Sequence, residues 1–132
     1  KVDEFYVAAG HEPEWVDKNI LLHMNNFMEE VNELKEELTY FFYNNSTNPE
    51  KLDATSYRMG QKLNRQNMVK ELADVQYTLS GLAIFLGVNL EEALDRVHAN
   101  NMSKLIDGKL IKNSQGKVMK PAGYVKPDMR GL

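Results

Sequence analysis

The sequence predicts an all-α fold, an antiparallel helical bundle followed by an irregular, extended C-terminal arm. Three observations predict it. Apolar residues recur at helical spacing along three segments, turn-forming residues separate these segments, and the periodicity disappears after about residue 105. The chain has 132 residues, of which 42% are hydrophobic and 27% charged. This length and composition suit one globular domain over residues 1–132.

The first predicted helix extends from Trp15 to about Tyr43. Its apolar residues recur at alternating steps of four and three, which places them in one stripe along the helix. These residues are Ile20, Met24, Phe27, Val31, Leu34, Leu38 and Phe41. We expect this stripe to pack against a neighbouring helix.

Residues 44–63 form an insert between the first and second long helices. It opens with a run of turn formers that leads to Pro49, and this run is expected to end the first helix. A short helix is expected near Glu50–Tyr57, followed by a loop around Gly60.

The second predicted helix extends from about Asn64 to Leu86, and Gly87 stops it. Its stripe consists of Met68, Leu72, Val75, Leu79, Leu82, Ala83 and Leu86. Asn89, with Glu92 three positions later, forms a capping pair that opens a third helix. This helix is expected to end near residues 102–105.

The C-terminal arm begins at about residue 106 and has turn-forming residues every few positions. Its short apolar pairs allow at most a small hairpin, in which KLIK and KVMK pair around Asn113–Gly116. We expect the arm to lie extended on the helical body.

The amino-acid composition restricts the class of protein and its location. The chain contains no cysteine, which excludes disulfides, iron–sulfur clusters and thiolate zinc sites and suits a reducing, cytoplasmic location. No apolar run approaches the ~20 residues of a membrane span, so no membrane partner is expected.

Charge is distributed unevenly along the chain. Residues 1–99 carry nine Lys/Arg against seventeen Asp/Glu, a net charge of −8, and residues 100–132 carry seven against two, a net charge of +5. Nucleic-acid binding requires a broad basic surface, so no nucleic-acid partner is expected. An acidic body with a basic arm suits a small polyanion held between a cation-loaded acidic site and a few lysines. Electrostatic docking of the arm on the body is the alternative.

Two carboxylate pairs at i, i+3 spacing flank the apolar stripes of the two long helices. At 100° per residue, Glu30 and Glu33 share one flank of the first stripe, and Glu71 and Asp74 share one flank of the second. If the helices pack as antiparallel neighbours, these four carboxylates converge. Their repulsion would keep at least one of them protonated. A hard divalent cation such as Mg²⁺, which prefers oxygen ligands, would remove that repulsion.

Other interpretations of the acidic pairs stay open on spacing alone. A single E-x-x-E motif on a helix is typical of a solvated face. A di-iron carboxylate bundle requires Glu-x-x-His on two helices. The chain contains no such motif, and the nearest sequence is Asp95-x-x-His98 on the third helix.

Glu29-Glu30-x-x-Glu33 on the first helix and Glu71-x-x-Asp74 on the second resemble the signature of the MazG-type, all-α nucleoside triphosphate pyrophosphohydrolases. That superfamily also includes dimeric dUTPases and phosphoribosyl-ATP pyrophosphohydrolases. The resemblance covers roughly residues 20–128, and the arm is similar to that of the phosphoribosyl-ATP-pyrophosphohydrolase-like members. The chain departs from the pattern in the 37 residues between the two acidic pairs, more than most members have.

The resemblance implies a metal-dependent hydrolysis. Glu30, Glu33, Glu71 and Asp74 would hold Mg²⁺, with Mn²⁺ as a substitute, and water would attack the α-phosphorus of a nucleoside triphosphate to give monophosphate and pyrophosphate. Glu29 is the candidate catalytic residue, which would orient or deprotonate this water or hold a further metal ion. The alternative for Glu29 is a plain surface glutamate.

The resemblance also implies phosphate contacts from the end of the third helix and from the arm. Asn101 and Lys104 would meet metal or phosphate oxygens, although a lysine at this position also suits a helix C-terminus. Lys120 and Tyr124 would close the arm over the nucleotide, or would simply pack it against the body.

A base pocket is expected upstream on the acidic flank of the first helix. His23 and Asn26 lie on this flank and would line the pocket. His23 suits a position at the boundary of the core equally well, and the neighbouring Phe27 belongs to the apolar stripe.

The leading functional hypothesis is a nucleoside triphosphate pyrophosphohydrolase that removes dUTP, dCTP or a modified NTP from a nucleotide pool. One alternative is a phosphoribosyl-ATP pyrophosphohydrolase. Another is a non-catalytic helical module whose acidic face and basic arm bind a protein partner. Long apolar seams on only three helices, together with the family habit, predict a homodimer or a dimer of dimers.

Overall fold

Four helices make up most of the chain in the computed structural model, which describes residues 1–10, 17–46 and 54–132 and, for residues 40–46 and 54–64, the helical backbone only. The helices are α1 (Val2–Ala8), α2 (Asp17–Ser46), α3 (Ala54–Leu86) and α4 (Leu90–Met102). The described ranges contain no strand, only two isolated antiparallel bridges in the arm. The prediction of an all-α fold is confirmed.

The chain divides into two compact units, Lys1–Gly87 and Val88–Leu132. The first unit contains α1, α2 and α3, and the second contains α4 and the arm. That the whole chain forms a single domain stays a prediction. Within the described ranges, none of the helices combines the length and apolarity needed to cross a membrane.

In the first unit, α2 and α3 pack against each other in opposite directions. His23 of α2 stacks on Phe85 of α3 with ring centroids 3.7 Å apart. Glu30, about two turns further along α2, approaches Glu71 and Asp74, which lie earlier on α3. Earlier residues of α2 therefore contact later residues of α3, and later residues of α2 contact earlier residues of α3. The antiparallel arrangement on which the convergence of carboxylates depends is therefore confirmed.

The start of α3 differs from the prediction. In place of a loop around Gly60, one continuous helix of 33 residues begins at Ala54. Of the short helix expected near Glu50–Tyr57, residues 50–53 lie outside the described residues and residues 54–57 belong to α3. Glycine costs a helix interior only about 1 kcal/mol relative to alanine, and good helix formers such as Met59 and Gln61 surround Gly60. Once a helix is nucleated, each further residue adds a hydrogen bond, so one glycine does not interrupt it.

The predicted first helix corresponds to α2, which continues to Ser46, three residues beyond the predicted end. Asparagine and serine are tolerated in a last helical turn, so the break expected at Asn44 is displaced. The predicted start at Trp15 lies outside the described residues, as does the predicted turn at Pro49.

Helix α1 is absent from the sequence-based prediction, because seven residues are too few to display an apolar period. Its anchor is Tyr6, which is buried against Phe85 and His23. The tyrosine ring packs directly on the α3 backbone at Gly81. A Cβ atom at this position would overlap the ring. Gly81 therefore permits α1 to dock on α3.

In the second unit, α4 begins and ends as predicted. The Asn89 side chain accepts a hydrogen bond from the Glu92 backbone N–H at 3.0 Å, which confirms the N-cap. The Glu92 carboxylate does not complete a reciprocal capping box; it accepts a hydrogen bond from Arg96 Nε at 2.8 Å. Upstream, Gly87 has φ +65°, a left-handed conformation that suits the end of α3.

The arm forms the small hairpin that the sequence allows. Lys112 and Val118 pair as an antiparallel bridge, and Met119 N–H donates to Ile111 O at 2.7 Å. The Asn113 side chain stabilises the turn, since its Oδ1 accepts hydrogen bonds from the backbone N–H groups of Gln115 and Lys117. The two short apolar pairs are therefore joined as predicted.

Beyond the hairpin the arm lies extended against α4. Asn100 Nδ2 donates to Val125 O at 2.6 Å. Arg96 Nη1 donates to Asp128 O and to Arg130 O, both at 3.0 Å. These contacts confirm an extended arm held on a helix of its own unit.

Candidate active site

Three carboxylates from α2 and α3 meet in the first unit. Oxygen atoms of Glu30, Glu71 and Asp74 all lie within 4.8 Å of one another. Among the described residues, these three form the one group of metal-ligating side chains of this kind, and Asp95 and His98 belong to no such group. Glu71 is buried, with 7% of its surface exposed, whereas Glu30 and Asp74 are half-buried. The predicted convergence of the acidic pairs therefore occurs for three of the four carboxylates.

Lys70 supplies positive charge to this carboxylate cluster. Its Nζ lies 2.8 Å from Asp74 Oδ2 and 3.0 Å from Glu71 Oε1. Hydrogen bonds to Asp74 and then to Glu71 raise the pKa of Lys70 above its ordinary value. A lysine four residues before an aspartate is a common helix pair, and this spacing is the signal from which Lys70 could have been predicted.

One lysine leaves the cluster incompletely neutralised. Glu71 Oε2 is buried and has no hydrogen-bond partner among the described residues. Burial, followed by the charges of Asp74 and Glu33, raises the pKa of Glu30 above its ordinary value of 4.5, and Lys70 only partly opposes this effect. A buried charged oxygen without a partner costs more than the roughly 1–3 kcal/mol of a neutral polar group.

The donor set fits a divalent metal ion. All three side chains offer hard carboxylate oxygens, which Mg²⁺ and Mn²⁺ prefer over nitrogen or sulfur. An ion among them would give Glu71 Oε2 a partner and would offset the repulsion at Glu30. Glu30, Glu71 and Asp74 are therefore the residues that could hold such an ion.

Glu33, the fourth predicted ligand, is not among the three converging side chains. It is exposed on α2 one turn after Glu30, and its charge acts on Glu30 strongly enough to raise the pKa of that group. A direct contact between Glu33 and a metal ion stays a prediction.

A cavity of about 500 Å³ adjoins the carboxylates within the first unit. Residues from α1, α2 and α3 line it: Phe5, Tyr6, Ala9, Leu22, His23, Asn26, Glu29, Glu30, Asp74, Tyr77 and Thr78. Two of the three cluster carboxylates thus face the same space as Glu29, the predicted catalytic residue. His23 and Asn26, predicted to line a base pocket, face it too. Their roles in catalysis and binding stay predictions.

Aromatic rings form much of the cavity wall. Phe5 contacts both Tyr6 and Tyr77 edge to face, with centroids 5.5 and 5.8 Å apart. Tyr6 in turn meets His23 at 4.9 Å. His23 is 2% exposed, so it belongs to the core and also contributes to the cavity wall.

Sequence reasoning missed the contribution of α1 and of the later part of α3 to this cavity. Tyr77 and Thr78 follow Asp74 by three and four residues, and this spacing places them on the same side of the helix. They could have been predicted from it. Phe5 and Tyr6 carried no such signal, because their helix is short and its contacts depend on Gly81.

The second unit brings together the four predicted residues from the end of α4 and from the arm. Lys104 Nζ donates to Asn101 Oδ1 at 2.6 Å. The ammonium groups of Lys104 and Lys120 lie 5.7 and 4.9 Å from the centroid of the Tyr124 ring. Tyr124 itself is fixed by a hydrogen bond from its hydroxyl to Asn100 Oδ1 at 2.8 Å. Two cations thus lie near one half-buried ring. Their contact with phosphate stays a prediction.

Comparison with protein families identifies a match over most of the helical part of the chain. A family model described as phosphoribosyl-ATP pyrophosphohydrolase matches residues 6–101, which is more than half of the chain. The matched range includes the two acidic pairs and Glu29, and extends to Asn101 at the end of α4. No curated protein matches the chain.

Proposed function

Because the chain belongs to the phosphoribosyl-ATP pyrophosphohydrolase family, and so to the MazG-like, all-α pyrophosphohydrolases that act on phosphoanhydride bonds, we propose that it hydrolyses a nucleoside triphosphate to monophosphate and pyrophosphate. The observation that supports this proposal best is the meeting of Glu30, Glu71 and Asp74 at the edge of an aromatic cavity. Such a site combines ligands for a cation with a wall for a nucleobase.

The carboxylate cluster would hold Mg²⁺, with Mn²⁺ as a substitute, and Glu33 is proposed as a further ligand. When bound, the cation supplies positive charge that attracts phosphate oxygens and makes a nearby water more acidic. Without such charge, the carboxylates would repel a triphosphate. Glu30, Glu71 and Asp74 would therefore bind the metal ion first, and the bound ion would then attract the anionic substrate.

Glu29 is proposed to act as the general base. Its side chain faces the cavity together with Glu30 and Asp74. Glu29 would accept a proton from a water molecule as the water oxygen attacks the α-phosphorus. The bond between the α-phosphorus and the oxygen that bridges to the β-phosphorus then breaks, and pyrophosphate leaves with that oxygen.

The cavity is proposed to hold the base and sugar. Its volume of about 500 Å³ lies within the ordinary range of small-molecule pockets. Phe5 and Tyr77 offer apolar ring surface, and Asn26 offers an amide that can both donate and accept hydrogen bonds. His23 contributes the edge of a ring that stacking on Phe85 holds in place.

In the second unit, Asn101, Lys104, Lys120 and Tyr124 are proposed to bind phosphate. Lys104 and Lys120 present two ammonium groups beside one ring, and two such cations suit a group with several negative charges. The proposal rests on the mutual contacts of these residues and on the family resemblance.

Phosphoribosyl-ATP is the second candidate substrate, and the description of the matching family supports it equally well. The same phosphoanhydride bond would be cleaved, with the same release of pyrophosphate. Phosphoribosyl-ATP differs from dUTP and dCTP in its base and in the phosphoribosyl group that this base carries, so the residues of the cavity wall would decide between these substrates.

A substrate screen tests the proposal. The purified protein is incubated with each common NTP and dNTP, with modified NTPs and with phosphoribosyl-ATP, in Mg²⁺ or Mn²⁺, and monophosphate, pyrophosphate and orthophosphate are quantified. We expect pyrophosphate from one substrate class, with dUTP and dCTP the first candidates. Release of orthophosphate would place the attack at the wrong phosphorus, and no turnover of any compound would refute the proposal.

Thermal unfolding tests the metal ligands independently of turnover. Mg²⁺ or Mn²⁺ at one hundred times its Kd should stabilise the wild type by about 2.7 kcal/mol and raise its melting temperature. Glu33→Gln and Asp74→Asn should lose this increase, whereas Glu36→Gln, which changes an exposed carboxylate on the same helix as Glu33, should keep it. An unchanged metal response in Asp74→Asn would contradict the assignment.

We further propose a homodimer or a dimer of dimers. Several large apolar side chains on α2 and α3 are exposed by about 40% or more: Leu21, Leu22, Met24, Met28, Val69 and Leu72. Burying this surface against a second copy of the chain would remove it from water.

A cytoplasmic location stays a prediction.

A further inference from the structure

Lys70 occupies the position in which a divalent cation is proposed to bind. Its Nζ contacts Asp74 Oδ2 at 2.8 Å and Glu71 Oε1 at 3.0 Å, so two of the three carboxylates in the cluster each have an oxygen engaged by an ammonium group. Lys70 does not line the adjoining cavity. Along α3, Lys70 directly precedes Glu71 and lies about one turn before Asp74.

We propose that Lys70 is a counter-cation that competes with the divalent metal ion for Glu71 and Asp74. When the metal ion binds, the Lys70 ammonium group moves away from these carboxylates and forms an ion pair with a phosphate. This inference rests on the metal site of the proposed function and assigns Lys70 a part in loading that site.

The two cations exclude each other for a physical reason. A metal ion held by Glu71 and Asp74 would bind the same two carboxylates that Nζ now contacts, and an ammonium group at hydrogen-bond distance from their oxygens would stand close to the ion. Repulsion between a monovalent and a divalent charge at such a distance is large in a partly buried site. Metal binding therefore requires Lys70 to leave.

Lys70 is able to leave because little holds it besides the two carboxylates. Its side chain is 63% exposed, compared with 9% for that of Glu71, and its ammonium group sits at the end of a flexible four-carbon stem. Once displaced, it remains tethered beside the site, because Lys70 directly precedes Glu71. A phosphate group bound at the metal ion offers it a new anionic partner, so metal and phosphate each favour the binding of the other.

The competition is tested by titrating Mn²⁺ into the phosphate-free protein and following binding calorimetrically. Lys70→Met should bind Mn²⁺ roughly three- to tenfold more tightly than the wild type, because the competing ammonium group is gone. Lys70→Arg, which keeps the charge, should not gain affinity. Lys35→Met is the matched control, since Lys35 is exposed on α2 and its loss removes the same charge from the neighbouring helix. Its Mn²⁺ affinity should stay within about twofold of the wild type.

A second titration tests the transfer to phosphate, with pyrophosphate as the probe and Mg²⁺ in constant excess. Lys70→Met should bind pyrophosphate about fivefold more weakly than the wild type, and Lys70→Arg should recover most of the loss. Equal Mn²⁺ affinity in the wild type and Lys70→Met would overturn the competition, and unchanged pyrophosphate affinity would overturn the transfer.

These outcomes are distinguishable from failure of the proposed function. If no nucleotide is hydrolysed but both titrations give the expected shifts, the pyrophosphohydrolase proposal fails and the role of Lys70 stands. If Mn²⁺ binds neither protein, both proposals are overturned. The metal-free melting temperature is a further readout, and Lys70→Met should lower it because the carboxylates lose their counter-charge.

Discussion

Glu30 shows at the scale of one residue how converging carboxylates lower the stability of the metal-free protein. Burial and the charges of Asp74 and Glu33 raise its pKa above 4.5. Between 4.5 and this raised value, the folded chain binds more protons than the unfolded chain, so the free energy of unfolding falls as pH rises through that window. Above the window, ionised Glu30 destabilises the metal-free protein. Below 4.5 it is neutral in both states and contributes nothing.

We therefore predict that Glu30→Gln raises the melting temperature of the metal-free protein at pH 7.5. The difference from the wild type should shrink as pH falls through the raised pKa and vanish below about pH 4.5. Calorimetric unfolding across this pH range is the measurement, with Glu36→Gln as a control that should follow the wild type. A lower melting temperature for Glu30→Gln at pH 7.5 would show that Glu30 is stabilised, not repelled, by its surroundings.

Glu29 gives a second prediction at this scale. If it is the general base, Glu29→Gln should lower kcat by roughly 100-fold or more, while Mg²⁺ still raises the melting temperature as it does in the wild type. Steady-state kinetics and thermal unfolding on the same preparation separate the two roles. Loss of the metal response would make Glu29 a ligand, and full activity would leave it a surface glutamate.

Spacing along each helix was enough to predict that Glu71 and Asp74 share a flank and that Glu30 meets them, but it also predicted convergence of Glu33, which is not among the three converging side chains. Spacing was not enough to predict how deeply each carboxylate is buried. Glu71 is buried and Glu33 is exposed, and this difference depends on where α2 and α3 touch. Lys70 went unnoticed because a lysine next to an acidic motif is also typical of a solvated helix face.

Among the elements, α1 depends on a single position of α3. A Cβ atom at residue 81 would overlap the Tyr6 ring, so Gly81→Ala should displace α1 and lower the free energy of unfolding. In a Tyr6→Leu background the same substitution should be neutral or stabilising, because alanine favours a helix interior by about 1 kcal/mol over glycine.

The two substitutions form a double-mutant cycle that urea unfolding can measure. We expect a coupling of about 1 kcal/mol or more between them. Additive effects would mean that Tyr6 does not dock at Gly81. Since Phe5 and Tyr6 form one wall of the cavity, Gly81→Ala should also raise KM for the nucleotide, with a smaller effect on kcat.

Elements were predictable where their signal is local and strong. The N-cap at Asn89 and the stop at Gly87 were confirmed, because each depends on one side chain or one backbone angle. The beginning of α3 was misjudged at Gly60, since the preference of one residue was weighed without the cooperativity of a long helix. Helix α1 is held by tertiary contacts, which no local pattern displays.

For the whole molecule, the exposed apolar side chains of α2 and α3 predict self-association. Sedimentation at micromolar concentration should give the mass of about two or four chains. Replacing Leu21 and Leu72, which are 54% and 50% exposed, by lysine should shift the protein towards one chain. Lysine at Asn32 and Gln66, also exposed on these helices, is the matched control. A monomeric wild type would contradict the prediction.

The fold class followed from the sequence, because apolar periodicity over many turns identifies the helices and their packed faces. That periodicity does not give the direction in which two helices pack, so the antiparallel arrangement was confirmed only by the residues that α2 and α3 bring together. The division into two compact units did not follow from the sequence. The boundary follows Gly87, a residue that the sequence identifies only as the end of a helix. Which elements share contacts depends on side chains that are distant along the chain.

The attachment of the arm to α4 has a consequence for how this chain can diverge. Asn100 and Arg96 hold the arm through the main-chain oxygens of residues 125, 128 and 130, and every amino acid supplies such an oxygen. Natural variants should therefore accept many different side chains at these three arm positions while the arm keeps its path. The donors of these hydrogen bonds are the side chains of Arg96 and Asn100, and most other amino acids lack such donors. We therefore expect these two residues of α4 to stay unchanged among variants whose arm sequences differ.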